Sequence, residues 1–252
     1  MTAPLGPAAA VLNPGAPPRD KGWGMEGDTQ QGRAPAPEGP TIYQQLRSDI
    51  IAGVYPPGTA LRFAEMQTRY GQGVSRLREA LAQLSADRLV IREINRGFRV
   101  PVISAAAFDD IAAMRLRLEP GAFRASVETG DEAWEERVIV AAHRLDRATK
   151  RYAAGIVSDI SDDWEERHRA FHETLIEACG SPMTRHFCSV LYDHFDRYRR
   201  CAGFDADAQA GLAEQHAALA DCAVNRDVAG AGPLLARHVE RTVEVVRAAL
   251  RD

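Results

Sequence analysis

The sequence predicts a mainly α-helical protein, an N-terminal winged helix-turn-helix followed by an all-α helical bundle. Three observations predict it. Three short helical periodicities precede two β-like runs that flank Asn95-Arg96-Gly97. After Ser104, β signals are almost absent and apolar residues recur at helical spacing. Glycine, proline and asparagine break that second region into segments of ordinary helix length.

Residues 1–40 are rich in Pro, Gly and Ala and poor in branched apolar residues. Such a stretch buries too little surface to offset its ordering entropy, so a disordered tail is expected. Trp23 is its one aromatic residue, and Met25 offers an alternative translation start. From Thr41 the pattern changes. Ile42, Leu46, Ile50 and Ile51 share a helix face that Thr41 is placed to cap, and Gly53 with Pro56-Pro57-Gly58 ends it. A second helix is expected over Arg62–Tyr70, with Phe63 and Met66 inward. After Gly71-Gln72-Gly73, a third spans Ser75–Asp87, with Leu77, Leu81 and Leu84 on one face. The β runs are Leu89–Ile94 and Gly97–Val102. Helix, helix, turn, helix, hairpin is the order of a winged DNA-binding module, expected over residues 41–103. Residues 104–252 are expected to form the bundle, with helices at Ala105–Glu128, Glu132–Ala153, Asp162–Cys179, Pro182–Arg200, Ala208–Asn225 and Asp227–Leu250.

Composition narrows the function classes. Hydrophobic residues make up 45% and charged residues 26% of the 252, as in soluble globular proteins. No stretch approaches the roughly 18 apolar residues of a membrane span. No compact apolar run follows a basic start, so a cytoplasmic protein without membrane partners is expected. The four cysteines, Cys179, Cys188, Cys201 and Cys222, form no C-x-x-C pair and read as reduced core thiols. The net charge of -4 is unevenly spread: residues 41–103 hold nine Arg against five Asp or Glu. A basic module on an acidic body fits a modular DNA binder.

The module carries side chains suited to DNA. Arg donates two bonds to a guanine edge or a phosphate. Ser75, Arg76 and Arg78 open the third helix, with Ser75 a candidate cap and phosphate donor. Arg76 and Arg78 diverge by about 160° and cannot share one task; one of them can instead pair with Glu79. Asn95, Arg96 and Gly97 form the hairpin tip, placed to enter a minor groove, and Arg62 is a further phosphate candidate. The same arginines also fit a solvated surface. In the bundle, His168 and His172 are i,i+4 and share one helix face, where they can bind one metal. His216 and His238 fall at similar heights on the last two helices if these form a hairpin. Four imidazoles would then converge inside a bundle, suiting Zn, Ni, Cu or Fe. The alternative is four isolated polar residues. Glu165, Glu166 and Glu173 fit a solvated face, which leaves no obvious general base beside the histidines and argues against an enzyme.

The segment Ile42–Val100 resembles the DNA-binding domain of the GntR family. The resemblance rests on Leu46-Arg47, Ile50-Ile51-Ala52-Gly53, Pro57-Gly58-Thr59-Ala60-Leu61, Arg78-Glu79-Ala80-Leu81, Leu89-Val90 and Arg96-Gly97-Phe98-Arg99-Val100. Gly73-Val74-Ser75-Arg76-Leu77-Arg78 is two residues shorter than the commonest family pattern. It aligns instead with members in which a proline occupies the position of Arg76, so base reading is carried over more firmly to Arg78. Residues Ser104–Leu250 resemble the FCD domain, the effector domain of the FadR subfamily. Asp110-Ile111, Arg115-x-x-Leu118-Glu119, Phe171-His172-x-x-Leu175, Glu214-x-His216 and His238 carry that likeness.

What the resemblance implies is a homodimeric repressor on a pseudo-palindromic operator, released by a small carboxylate. It also implies a divalent transition metal, Zn or Ni first. His172, His216 and His238 match three family ligands, and His168 stands where the family has an aspartate. That exchange raises the site's charge by one and favours an anionic effector. Arg115 matches the family's arginine on the first FCD helix, although Glu119 at i,i+4 can simply pair with it. Arg197, Arg199 and Tyr198, with Tyr192 nearby, are further effector candidates, whose other reading is a surface salt bridge. His168 together with residues 193–200 resembles a subgroup that represses glutarate-type catabolism. The competing expectation is a constitutive DNA-binding dimer with a structural metal or none.

Overall fold

The computed structural model of the protein describes residues 39–153, 162–202 and 206–250. The expected tail, with Trp23 and Met25, lies outside these residues but for Gly39 and Pro40.

The first helix, α1 (Ile42–Ile51), begins at Thr41 for a local reason. The Thr41 hydroxyl accepts from the Gln44 amide at 3.2 Å, and the Gln44 side chain accepts from the Thr41 amide at 2.8 Å. After a two-residue strand β1 (Ala60–Leu61), α2 (Phe63–Tyr70) ends at Gly71, which takes the left-handed φ of 64°. Next come α3 (Val74–Ala86), β2 (Ile91–Glu93) and β3 (Gly97–Arg99). β3 lies between the other strands and pairs antiparallel with both, Phe98 facing Leu61 on one side and Arg92 on the other. Leu46, Ile50, Met66, Leu77, Leu81, Leu84 and Phe98 fill one core. The inward faces expected for α1 and α3 are those observed.

Two expectations change here. β1 was not foreseen, since a two-residue strand shows no alternation. Ser75 does not cap α3: the helix starts one residue earlier and Gly73 is its N-cap, without a side-chain bond.

Six further helices follow: α4 (Ala105–Thr129), α5 (Glu132–Ala153), α6 (Asp162–Leu175), α7 (Pro182–Ala202), α8 (Ala206–Val224) and α9 (Val228–Ala249). Ser104 and Asp227 cap α4 and α9 through their side chains. A Cβ on Gly130 would run into the Trp134 ring, so glycine is required where α4 turns into α5. α6 is shorter than expected. It stops at Leu175, and the chain turns through Gly180 at φ 71°. Phe108, Phe123, Trp134, Phe171 and Leu235 anchor the second core. Cys188 and Cys222 are buried as expected and Cys179 partly so, but Cys201 is exposed. No helix among the described residues is long and apolar enough to cross a membrane.

The winged module rests on α7. Arg47 on α1 pairs with Asp193. The His194 ring meets the Asp87 carbonyl at 2.7 Å, the Arg197 guanidinium donates to the Pro101 carbonyl, and the Ser104 amide donates to the Tyr198 hydroxyl at 3.3 Å.

Candidate functional site

On the winged module, the DNA candidates share one property. Arg62, Ser75, Arg76, Arg78, Asn95 and Arg96 are all exposed. Arg62 sits at the N-cap of α2 and lies 3.7 Å from Glu65. Arg78 lies over the Phe63 ring, 5.4 Å from its centroid, which steadies the side chain without neutralising it. Arg76 donates to Gln72 at 3.3 Å and not to Glu79. At the wing tip, Asn95 (φ 59°) and Gly97 (φ 89°) take left-handed conformations that turn the chain sharply. Arg99, at the base of the wing, pairs with Glu93 at 3.0 Å and donates to the Gly58 carbonyl, tying the wing to the loop before β1.

Inside the bundle the four histidines meet. His168 and His172 project from one face of α6, His216 comes from α8 and His238 from α9. All four are buried, and one ring nitrogen from each lies within 4.8 Å of the others. Both ring nitrogens of His172 and of His216 are buried without a hydrogen-bond partner. Buried polar atoms are rarely left in that state unless something is to occupy the space between them. His238 Nδ1 lies 3.0 Å from Gln215 Oε1, which can only accept, so Nδ1 carries the proton and Nε2 the free lone pair. His168 is fixed by stacking on Trp164 at 4.7 Å, and the Trp164 indole donates to Thr149 at 2.9 Å.

Burial is the main cause holding all four imidazoles well below their usual pKa, His216 down to about 3. Arg199 adds to the effect at each of them. The rings are therefore neutral at pH 7, the state in which imidazole ligates a metal. Four neutral imidazoles that bring one nitrogen each within 4.8 Å of the others, two of them with no hydrogen-bond partner on either nitrogen, fit a divalent transition metal.

Charged groups surround this cluster in an ordered chain. Arg199 is buried against Glu165 and, at 3.0 Å, Asp196. Burial pushes the Glu165 carboxyl up to about 7, against the pull of Arg199. Asp196 lies 3.6 Å from Arg169, which also pairs with Asp193. Asp193 in turn holds Arg47 of the winged module. Ion pairs thus run without a gap from beside His168 to α1.

Residues 39–100 match the bacterial regulatory proteins of the gntR family, and residues 110–241 match the FCD domain. The chain belongs to the GntR family, and its helical part is an FCD domain. The regulator BphR of Paraburkholderia xenovorans is 38% identical over 81% of this chain and 83% of its own. The repressor GlaR of Escherichia coli is 32% identical over 82% of this chain and 95% of its own. The solved structure of Escherichia coli McbR/YncC covers 81% of this chain and 94% of its own, with a TM-score of 0.70 at 17% identity, a likeness of fold. This GntR-family protein is thus a DNA-binding transcriptional regulator with an effector domain.

Within that FCD domain, the expected effector arginines separate. Arg115 is committed to Glu119 by two hydrogen bonds, the longer 3.0 Å, and its guanidinium lies 4.2 Å from the Phe195 ring centroid. Arg199 stands beside the histidines. Arg197 and Tyr198 do not: one residue along α7 turns a side chain by about 100°, and both face the junction with the winged module. Neither Arg197 nor Arg199 is a surface salt bridge, since both are buried. Glu165 corrects the expectation of a solvated face, being buried against Arg199. Its spacing to His168 and His172, i,i+3 and i,i+7, was the available signal. Arg47, Asp193, Asp196 and Gln215 were not expected at the site.

Proposed function

We propose that the protein is a cytoplasmic homodimeric repressor whose hold on DNA is governed by a small carboxylate bound beside a metal in the bundle. In this reading, residues 41–103 bind a pseudo-palindromic operator and residues 104–252 dimerise and bind the effector. Ser75, Arg76 and Arg78 enter the major groove. Asn95, Arg96 and Gly97 meet the minor groove, and Arg62 grips phosphate. His168, His172, His216 and His238 hold the metal, zinc or nickel. When bound, that ion supplies Lewis-acid positions that a carboxylate oxygen can occupy. The repressor sense draws on GlaR, which is named for it.

The observation that carries this reading is the convergence of four buried imidazoles beside a buried arginine that begins an ion-pair chain to α1. A carboxylate reaching Arg199 competes with Glu165 and Asp196 for its guanidinium. Asp196 then turns more fully to Arg169, and Asp193 loses part of its hold on Arg47. An effector shifts DNA affinity only if it binds one arrangement better, and such couplings are typically about 5–150-fold. The test is a mobility shift on the upstream intergenic DNA with glutarate, succinate and related acids. Release of DNA by one of them, lost in Asp193→Asn while metal content is kept, is the expected result. Unaltered affinity across the series would sink the effector part.

A second reading has its own support. Four protein ligands close a tetrahedral site, which is the pattern of structural zinc. A protein that carries tightly held zinc and binds DNA identically with and without every acid is the constitutive dimer.

A further inference from the structure

We infer that the protein has a second ligand site, for an amphipathic monocarboxylate, in the cavity where the winged module meets α4 and α7. The cavity has a volume of about 660 Å³. Ligand pockets commonly fall between about 300 and 1,000 Å³. Its walls are largely apolar, with Val90 from the winged side, Ile111 and Met114 from α4 and Leu191 from α7.

Arg197 supplies the polar anchor. Among the described residues, three arginines are buried: Arg115, Arg197 and Arg199. Arg115 and Arg199 face carboxylates. Arg197 faces none. It is 3% exposed, gives one bond to the Pro101 carbonyl, and its Nε is buried without a partner. A desolvated guanidinium with an unused N–H is an unmet demand for an acceptor, and a carboxylate meets it with charge-assisted hydrogen bonds.

The other charged groups leave that demand in place. Asp87 takes the Tyr43 hydroxyl at 3.4 Å, and Asp110 is exposed. Arg88 and Arg92, also lining the cavity, are exposed cations that favour an anion's approach. His194 is occupied by the Asp87 carbonyl. One buried cation beside largely apolar walls selects a single anionic head on an apolar body. That chemistry differs from the compact carboxylate of the histidine site, which lies across α7.

The experiment uses the full-length, metal-loaded protein and titration calorimetry with decanoate and 4-butylbenzoate, each against its alcohol. Saturable binding near one acid per chain is expected, about tenfold or more tighter than the alcohol. Arg197→Gln should weaken the acid by a similar factor and leave the alcohol unchanged. Met114→Trp, which fills the cavity from α4 and leaves the Arg197 charge in place, should abolish both. His172→Ala should change neither, which separates this site from the metal site. No saturable binding of either acid, or binding that survives both cavity substitutions, overturns the inference. Binding lost in His172→Ala alone also overturns it and assigns the acids to the bundle.

Discussion

In the winged module, Arg62, Arg76, Arg78 and Arg96 stand in solvent, three of them with a weak neighbour, of which the one carboxylate, Glu65, lies exposed at 3.7 Å from Arg62. In the bundle, Arg115 and Arg199 are nearly sealed from water and held by Glu119, Glu165 and Asp196. The same side chain meets two different demands. An exposed guanidinium remains well solvated and loses little by exchanging water and counterions for phosphate. A buried one is costly unless matched, and once matched it fixes the geometry around it. The first region is built to meet a partner and the second to position a site.

The comparison can be broken most forcefully with pH. The four buried histidines resist protonation in the folded protein but take up protons near pH 6.5 when unfolded. The unfolded state therefore binds more protons below that value, and stability falls as pH falls. In metal-free protein each histidine should cost about 1.4 kcal/mol per pH unit below about 6, so several kcal/mol between pH 6 and 5. Glu165, raised to about 7, opposes this as one group of the opposite sign. Urea unfolding at stepped pH checks it, and a flat profile would contradict neutral burial of the cluster.

Removing a matched carboxylate comes next. Glu119→Ala strands a buried Arg115 and should destabilise the fold by roughly 3–5 kcal/mol. Glu65→Ala, beside exposed Arg62, should leave the unfolding midpoint where it is. Equal effects of the two would erase the distinction between the regions.

On DNA, Arg78→Ala should weaken operator binding by about 1–3 kcal/mol and relax preference at one base position. Arg96→Ala should be the smallest change, a uniform loss across sequences with the salt dependence of log affinity reduced by about 1. Anisotropy titrations at several salt concentrations separate the two. A uniform loss for Arg78→Ala would move it from base reading to phosphate contact.

Much of this division was legible in the sequence, because it rests on local periodicity. Leu77, Leu81 and Leu84 mark the inner face of α3, and Thr41 marks the start of α1. His168 and His172 announce a shared face by spacing alone, and a helical hairpin is enough to bring His216 and His238 level. What escaped is what tertiary packing decides. Arg47 and Asp193 are 146 residues apart, and no local pattern joins them. Glu165 looks like any helix-surface glutamate until Arg199 covers it. Arg197, Tyr198 and Arg199 are adjacent in sequence, but the turn of α7 sends Arg199 to the histidines and the other two to the junction. β1 was invisible because two residues carry no period, and the cap of α3 shifted because a glycine with extended backbone preceded Val74.

The claim that binds these regions together is that the four-histidine cluster holds a metal. Native mass spectrometry of the full-length protein, purified without chelator, tests it most directly. One divalent transition-metal ion per chain, lost in His172→Ala and in His238→Ala with the helical content intact, is the predicted result. A chain mass with no metal after incubation with zinc or nickel, or a metal retained in both variants, would contradict it.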